Sequence, residues 1–600
     1  MMDLLTQWAL VANAALMPHL TMAPILLPLL AACLLLLLGE RGHRRKVMLS
    51  TLAAVGNLAV AVFLMLSVAM EEAQPIGFGV YLPSNWDVPF GIVLVLDRLS
   101  ALMLVVAGVV ALMALLFASA RWHKAGAHFH VLLQFQIMGL NGAFLTGDLF
   151  NLFVFFEVML AASYGLLLHG SGPARVRSGL HYLTINLAAS SLFLVGAAMI
   201  YGVSGTLNMA DLAARIPDIP ASDRALLHAG CAILAVAFLA KAAMWPLNFW
   251  LSPAYTAASA PSAAVFALLT KVGVYVLLRL STLLFSDQAG ASAGFGHLLL
   301  LWGGMATLAF GALGLLSAQR PARLASYAVI VSSGTLMAVL GFEKPELTAG
   351  ALYYLPASTF AVAAFFLLAE LMDRSRNPDP TAQRAPEDEE DHLPFALVEQ
   401  ELAREANLDE DEEVLVGRAI PAATALLGLA FVCCTLLVAG LPPLSGFVGK
   451  LMMLSALLGP AGVAVSTPAW VFLGLLMLSG LFALIALSRT GIRFFWTPVD
   501  RPAPVLRLAE LAPITLLLGA CVAMTVHAEG LSQYARATAQ MLYQPQGYIE
   551  AVMGTLPQQT PTNAERLRQA RLAEQAASAT LQAEAADPAA SEAKQQEPKP

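Results

Sequence analysis

Apolar residues run along this chain in long stretches that are separated by short polar connections. A stretch of about 20 apolar residues is what an α-helix needs to cross a bilayer. The pattern predicts fourteen membrane helices, at 21–39, 47–70, 97–119, 129–146, 149–169, 180–202, 226–251, 261–285, 298–318, 322–341, 350–372, 419–458 (broken), 468–490 and 508–527. We therefore expect an all-α polytopic membrane protein whose transmembrane bundle fills residues 21–527, after an N-terminal lead-in at 1–20.

Composition supports a membrane protein and excludes a soluble one. Of the 600 residues, 58% are hydrophobic and 12% are charged, and the mean hydropathy is +0.72. The five cysteines lie in apolar runs and give neither a disulfide framework nor a CxxC metal spacing. The first apolar run has no small-residue cleavage site, so we expect a retained helix and not a signal peptide.

Charge is concentrated in one segment. Residues 371–418 contain 15 acidic residues against 5 arginines, whereas the rest of the chain has 28 basic against 25 acidic residues. This predicts an acidic loop at 372–418, with one short amphipathic helix near 395–407. Nothing resembles a basic nucleic-acid-binding stripe, so we expect no nucleic-acid partner.

Lysine and arginine occur mainly in alternate connections between the predicted helices, beginning with Arg41 to Lys46. Because such residues mark cytoplasmic loops, the acidic loop is predicted to be cytoplasmic and both termini to lie on the opposite face. Residues 71–96 contain no lysine or arginine and mix Gly and Pro with β-branched residues, which predicts an extracytoplasmic hairpin. Residues 528–600 are predicted to be a polar, partly disordered tail.

Two predicted helices are interrupted. Pro246 lies inside the seventh, and LPPLSG breaks the twelfth. Proline removes a backbone donor, and broken backbone at membrane depth is tolerated only where protein buries it or it lines a cavity. A lysine stands beside each break, Lys241 and Lys450. Interruptions at corresponding positions predict two inverted repeats, as transporters have.

Four ionisable residues lie within apolar runs: Glu157, Lys241, Lys271 and Lys450. A charge at the bilayer centre costs about 2.5–3.5 kcal/mol on insertion scales, so these side chains are predicted to face an interior ion path. A purely structural role stays open for each of the four. Glu157 could be hydrogen-bonded to a neighbouring helix, and Lys241 could snorkel to the interface. Asp97 and Arg98, at the start of the third helix, predict an interfacial ion pair.

No nucleotide-binding P-loop, Rossmann glycine pattern, haem signature or nucleophile elbow occurs in the sequence. We therefore expect no cofactor and no metal site, and the residues alone indicate a proton or cation path.

The segments GDLFNLFVFFEVML, FLAKAAMWPLNFWLSPAY, LLTKVGVYVLLRL, RLASYAVIVSSG and LPPLSGFVGKLMML resemble those of the antiporter-like subunits that Mrp/Pha-type multisubunit antiporters share with respiratory complex I. The resemblance covers about residues 21–530. The stretch PFGIVLVLDRLSALML and the acidic loop are most similar to the D-type subunit of the proteobacterial Mrp/Pha antiporters.

The resemblance implies a proton-translocating membrane subunit of a monovalent cation (Na⁺ or K⁺)/proton antiporter in the cell inner membrane. Its partners would be the other membrane subunits of the complex. Glu157, Lys241, Lys271 and Lys450 match the family's row of protonatable residues. The alternative is a proton-pumping membrane subunit of a complex I-like oxidoreductase or membrane-bound hydrogenase, whose soluble partners carry the iron–sulfur clusters.

One position departs from the family pattern. Many relatives carry a histidine in the eleventh helix, where this chain has YYLPASTFAVAAFF. We expect water held by the hydroxyl groups of Tyr353, Tyr354, Ser358 and Thr359 to bridge Lys271 to Lys450.

Overall fold

The structure is a computed structural model that describes residues 17–38, 42–70, 78–126, 128–376, 422–459, 465–496 and 506–557. Contacts divide the chain into two units. The larger unit is Met1–Ser84 with Val88–Thr555, and the smaller is Asn85–Asp87 with Leu556–Pro600. The helical bundle belongs to the larger unit.

The first half of the described chain is helical apart from one strand pair. Its elements are α1 (Ala23–Leu37), α2 (His43–Met70), β1 (Gly79–Tyr81), β2 (Leu94–Leu96), α3 (Arg98–Ala118), α4 (Phe129–Leu145), α5 (Leu149–Leu168), α6 (Pro173–Ser204), α7 (Met209–Arg215), α8 (Ala221–Lys241), α9 (Leu251–Ala257) and α10 (Ala260–Leu284). Short 3₁₀ segments lie at Met17–Met22, Trp122–Lys124, Ile216–Asp218 and Gly290–Ser292.

The second half consists of helices throughout its described part. They are α11 (His297–Ser317), α12 (Pro321–Leu340), α13 (Pro345–Arg376), α14 (Ala422–Ala439), α15 (Ser445–Leu458), α16 (Thr467–Gly491), α17 (Leu508–Val526), α18 (Ala528–Leu542) and α19 (Pro545–Met553). A π-helical turn, Ile492–Trp496, follows α16.

The described residues contain 13 helices that are long and apolar enough to cross a membrane, and α4 and α15 are two shorter apolar helices. Because α15 continues α14 after a break, the pair makes one crossing. The fourteen predicted helices are therefore confirmed, and their ends agree to within seven residues except at the end of the seventh. The two helices with 94% of their most apolar window buried are α10 and α13, so they lie at the centre of the bundle.

Both predicted breaks are present. Helix α8 stops at Lys241 and helical structure resumes at Leu251, so Pro246 lies in a non-helical connection. Neighbouring groups supply the lost backbone partners, because Trp245 N donates to Thr307 Oγ1 (2.9 Å) and Trp250 Nε1 donates to Ala240 O (3.2 Å).

The second break separates α14 from α15, and it falls in the twelfth crossing, five crossings after the first. A unit of five crossings starts and ends on opposite faces of a membrane. A second copy of such a unit is therefore inverted relative to the first, which is the arrangement that the sequence predicts.

The segment predicted as a hairpin contains an antiparallel strand pair in its described part, with Gly79 opposite Leu96 and Tyr81 opposite Leu94. Gly147 N donates to Val93 O (2.9 Å), which joins the β2 end of this segment to the α4–α5 connection. The short helix expected near 395–407 lies outside the described residues.

The packed body continues beyond residue 527, where the hydropathy pattern predicts its end. Tyr534 Oη in α18 donates to Arg98 O (2.7 Å), and Tyr543 Oη lies 3.1 Å from Thr348 Oγ1. Tyr548 and Val552 of α19 are buried. These two helices are amphipathic and too polar for a hydropathy window, although one face of each packs against the bundle.

We expect a chain ending at residue 557 to assemble like the full-length chain, and a chain ending at residue 527 to be clearly less stable. The chain that ends at residue 527 lacks Leu542, Tyr548 and Val552. Each buried side chain of this kind contributes about 1.5–3 kcal/mol to stability. Thermal unfolding of the purified protein makes the comparison. Equal melting temperatures for the two truncations would contradict the packing role of α18 and α19.

Candidate functional site

Lys241 ends α8 at the first break, and its side chain is inside the protein, with 9% of its surface exposed. Its Nζ lies 4.8 Å from the centroid of the Phe156 ring and 3.5 Å from Asn186 Oδ1. A cavity of about 30 Å³ adjoins it, lined in part by Tyr182 and Trp250. That space is enough for one water molecule. The burial argues against the snorkelling alternative.

Glu157 follows Phe156 on α5, yet it forms no ion pair of 4 Å or less among the described residues. Its Oε1 is buried and has no hydrogen-bond partner there. Lys241 interacts electrostatically with Glu157 but does not contact it directly. These two predicted residues thus lie on neighbouring helices without forming an ion pair.

Lys271 lies in the middle of α10 and is 2% exposed. Its Nζ donates to Ser332 Oγ (2.7 Å) and lies 3.5 Å from Ser333 Oγ. Two residues later, Gly273 allows α10 to approach the break after α8, since a Cβ there would lie 2.7 Å from Ala242 N. This close contact fixes the helix of Lys271 against the end of the helix that carries Lys241.

A chain of hydroxyl groups leads away from Lys271. Ser332 Oγ on α12 donates to Ser358 Oγ on α13 (2.8 Å), and the side chain of Tyr354 lies close to Ser332. Tyr354 packs against α15 next to Lys450, because a Cβ on Gly449 would lie 2.9 Å from the Tyr354 Cβ. Two of the four expected hydroxyls, those of Ser358 and Tyr354, therefore extend from Lys271 towards Lys450.

The other two expected hydroxyls bond only to the backbone, whereas Ser358 Oγ also donates to Leu355 O (3.1 Å) besides accepting from Ser332. Tyr353 Oη donates to Met524 O (2.8 Å), and Thr359 Oγ1 donates to Leu355 O (2.7 Å). The sequence pattern did not reveal Ser332 and Asn186, the oxygen acceptors of Lys271 and Lys241. A signal for Ser332 was available, because the pair of serines in SYAVIVSSG interrupts an apolar helix.

Lys450 lies in α15 and is 6% exposed. Its Nζ donates to Ala439 O (2.8 Å), the carbonyl at the C-terminal end of α14. A helix end leaves such carbonyls without a backbone partner, and a cation there is also favoured by the helix dipole. Gly440, with φ +74°, makes room for this contact, since a Cβ there would lie 2.5 Å from the Lys450 Cδ.

Asp97 pairs with Arg279 and not with Arg98, so the predicted interfacial pair is wrong. Asp97 is 0% exposed, and Arg279 Nη2 and Nη1 lie 2.8 and 2.5 Å from its two carboxylate oxygens. Asp97 also caps α3 by accepting from Ser100 N. Arg279 is two turns after Lys271 on α10, and no local pattern in the sequence links it to Asp97. The pair anchors α10 to the start of α3.

Within the described residues, no group of three or more His, Cys, Asp or Glu side chains could hold a metal ion. The site therefore consists of three buried lysines that hydrogen-bond to neutral oxygens, with one carboxylate nearby. A bundle of this kind, with two broken helices and buried protonatable side chains beside them, defines the class of polytopic membrane transport proteins.

The family described as NADH:quinone oxidoreductase/Mrp antiporter, TM matches residues 146–385. The chain belongs to this family and, within it, to the D-type subunits of the Mrp antiporters. It is 50% identical to the D-type subunit of a probable K⁺/H⁺ antiporter of Rhizobium meliloti, over 89% of this chain and 97% of that protein. It is 33% identical to the D-type subunit of the Na⁺/H⁺ antiporter of Alkalihalophilus pseudofirmus, over 90% of this chain and all of that protein.

Solved structures agree. A chain of the Mrp complex from Dietzia sp. matches with a TM-score of 0.74 at 25% identity, over 89% of this chain and 100% of that one. A chain of respiratory complex I from Thermus thermophilus matches with a TM-score of 0.64 at 24% identity, over 87% of this chain and 99% of that one. The second likeness concerns the fold alone.

Breaking the Asp97–Arg279 pair should destabilise the protein strongly. Arg279→Met leaves a buried carboxylate without its cation, which costs about 3–5 kcal/mol. Adding Asp97→Asn removes the stranded charge and keeps a cap for α3, so the double variant should regain part of the loss. Melting temperatures of the purified complex test this, and a double variant no more stable than Arg279→Met would contradict the ion-pair explanation.

Proposed function

We propose that this chain is the proton-translocating membrane subunit of a multisubunit monovalent cation (Na⁺ or K⁺)/proton antiporter. The observation that supports this best is the set of three buried lysines, each hydrogen-bonded to a neutral oxygen. An ammonium held in this way can lose its proton without leaving an unpaired carboxylate behind. Arginine could not do so, because guanidinium keeps its proton in proteins.

The proposed cycle begins with Lys241 and Glu157. When the two side chains approach each other, the attraction stabilises both charged forms. When they separate, as in this structure, the buried ammonium loses that attraction and is favoured to release its proton. The small cavity beside Lys241 offers space for a water molecule to receive it.

The proton then moves towards Lys271 and onwards to Lys450. The Lys271–Ser332–Ser358 hydrogen bonds provide the first links, and Tyr354 lies between this chain and the turn that holds Lys450. Hydroxyl groups both donate and accept, so they can pass a proton along without becoming charged. Coupling to cation movement takes place in the complete assembly, with the other membrane subunits as partners.

The names of the relatives favour this reading over the oxidoreductase alternative. Similarity to antiporter subunits reaches 50% identity along nearly the whole chain, whereas the complex I match supports the fold only. We place the protein in the cell inner membrane with the arginine-containing connections and the acidic loop 372–418 on the cytoplasmic side.

Lys241→Ala should abolish cation-dependent proton movement while the complex still assembles. Alanine is a good helix former and Lys241 holds no short hydrogen bond, so the fold should survive. Lys241→Arg should fail as well, and so should Glu157→Ala. Dye-monitored exchange in everted vesicles, with native gels for assembly, provides the measurement. Lys344→Ala, which changes an exposed lysine outside the bundle, is the control. Near-normal exchange by an assembled Lys241→Ala complex would overturn the proposal.

Ser332→Ala should slow exchange much more than Ser333→Ala. The two serines are adjacent on α12, but only Ser332 combines a 2.7 Å bond to Lys271 with a bond to Ser358. The pair therefore serves as its own matched control, because both changes remove one hydroxyl from the same buried turn. Equal rates for the two variants, at equal assembly, would mean that protons do not use the Ser332 hydroxyl.

A further inference from the structure

A second line of buried polar side chains lies between α2 and α4, away from the lysines of the candidate site. Lys46, Ser50 and Asn57 on α2 match His130, Gln134 and Asn141 on α4, with the same spacing of four and seven residues. All six are buried. Residues four and seven apart share one face of a helix, so each helix presents a polar stripe. We call these six residues the α2–α4 ladder.

Two rungs of the ladder are joined by hydrogen bonds. Gln134 Nε2 lies 3.0 Å from Ser50 Oγ, and Asn141 Nδ2 donates to Asn57 Oδ1 (3.2 Å). Both contacts join residues 84 positions apart, which shows that the two helices run parallel. Lys46 and His130 have the same separation and form the first rung.

Helix α1 closes the third rung. Asn141 Nδ2 also donates to Pro24 O (2.7 Å). Pro28 follows four residues later inside α1 and has no N–H, so the Pro24 carbonyl lacks its usual helical partner. The ladder is thus enclosed by three helices, with backbone and side-chain oxygens on its inner side.

Every rung nevertheless leaves polar atoms without a partner. Both ring nitrogens of His130, Gln134 Oε1 and Asn141 Oδ1 are buried and make no hydrogen bond within the described part of the chain. A buried polar group of this kind is destabilising if it stays dry. Hydrogen-bonded amide pairs are common where membrane helices pack against each other. That role does not explain a buried histidine whose two ring nitrogens both lack a partner. Water is the usual partner of buried groups of this kind.

The first rung of the ladder lies near the side of the bundle that carries the lysine- and arginine-containing connections. The ring centroids of His43 and His123 are 6.1 Å apart, and those of His123 and His130 are 6.0 Å apart. His43 is exposed, so the three rings lead from the surface to the first rung. Burial lowers the pKa of His123, which lies in the connection outside the membrane helices.

Simple helix geometry gives the reach of the ladder. From His130 to Asn141 the rise along α4 is about 16 Å, roughly half of the hydrocarbon thickness. The first two rungs are about 6 Å apart and the next two about 10 Å, distances that one and two water molecules span. Just past Asn141, α4 packs against α5, where a Cβ on Gly142 would meet the Phe155 ring. Helix α5 also carries Glu157.

We propose that the α2–α4 ladder holds a file of water that conducts protons from the face of the charged connections into the membrane interior, with His130 as its titrating relay. This rests on the proposed function. A proton received at one ring nitrogen of His130 is matched by release of a proton from the other, so the ring returns to its neutral form. The charged or titratable groups around it are His43 and Lys46 on α2, His123 in the connection and His169 at the end of α5.

The test uses the complete complex in everted vesicles. His130→Leu breaks no hydrogen bond, so the protein should tolerate it if His130 is only structural. If His130 is the relay, the variant should slow dye-monitored cation/proton exchange severalfold while assembly is unchanged. His181→Leu, at an exposed histidine on α6, is the matched control. If His130→Leu does not assemble, His130→Gln replaces it, since glutamine is polar but does not titrate. Normal exchange by an assembled His130 variant overturns the inference.

A second measurement reports water without relying on transport. Deuterium exchange at the imidazole C2 of His130, followed by mass spectrometry of the wild-type complex in D₂O, should proceed and should slow when Gln134→Leu interrupts the file. A C2 position that does not exchange means a dry ladder and overturns the inference. Loss of cation/proton exchange in Lys241→Ala does not depend on deuterium exchange at His130. Failure of the ladder and failure of the proposed function can therefore be told apart.

Discussion

Burying a cation in a bilayer is costly, and this cost shapes the whole bundle. The protein meets it in two different ways. Arg279 is fully paired with the carboxylate of Asp97 and anchors helix α10. The three buried lysines instead contact an amide oxygen, a serine hydroxyl and a backbone carbonyl. The charge of Arg279, which stays fixed, is paired with a countercharge. The lysines whose protons move in the proposed cycle hydrogen-bond to neutral acceptors.

The broken helices supply part of this environment. At the second break the C-terminal carbonyl of α14 becomes the acceptor for Lys450, and Gly440 leaves room for the lysine stem. At the first break Lys241 is itself the last helical residue, and α10 packs closely against the following turn through Gly273. At the second break, the end of a helix thus leaves a backbone carbonyl that accepts from a buried lysine.

The sequence predicted the helices and both breaks well, and the three lysines that it singled out are buried, because apolar runs and isolated charges are local signals. Partners could not be predicted in the same way. Asp97 is adjacent to Arg98 in the sequence yet pairs with Arg279, since the cap at the start of α3 turns its carboxylate towards α10. Ser332 reaches Lys271 only because α12 and α10 pack side by side. Helices α18 and α19 were missed as part of the body because only one face of each is apolar.

The proposed cycle requires a buried lysine to change its protonation state inside the membrane. Solid-state ¹⁵N NMR of lysine side chains in the reconstituted complex observes this change itself, with Lys241→Arg used to assign the Lys241 signal. We expect a neutral-amine signal for Lys241 under conditions in which the complex exchanges ions, and loss of that signal in the variant. A Lys241 signal that stays in the ammonium position throughout the active pH range would contradict the cycle.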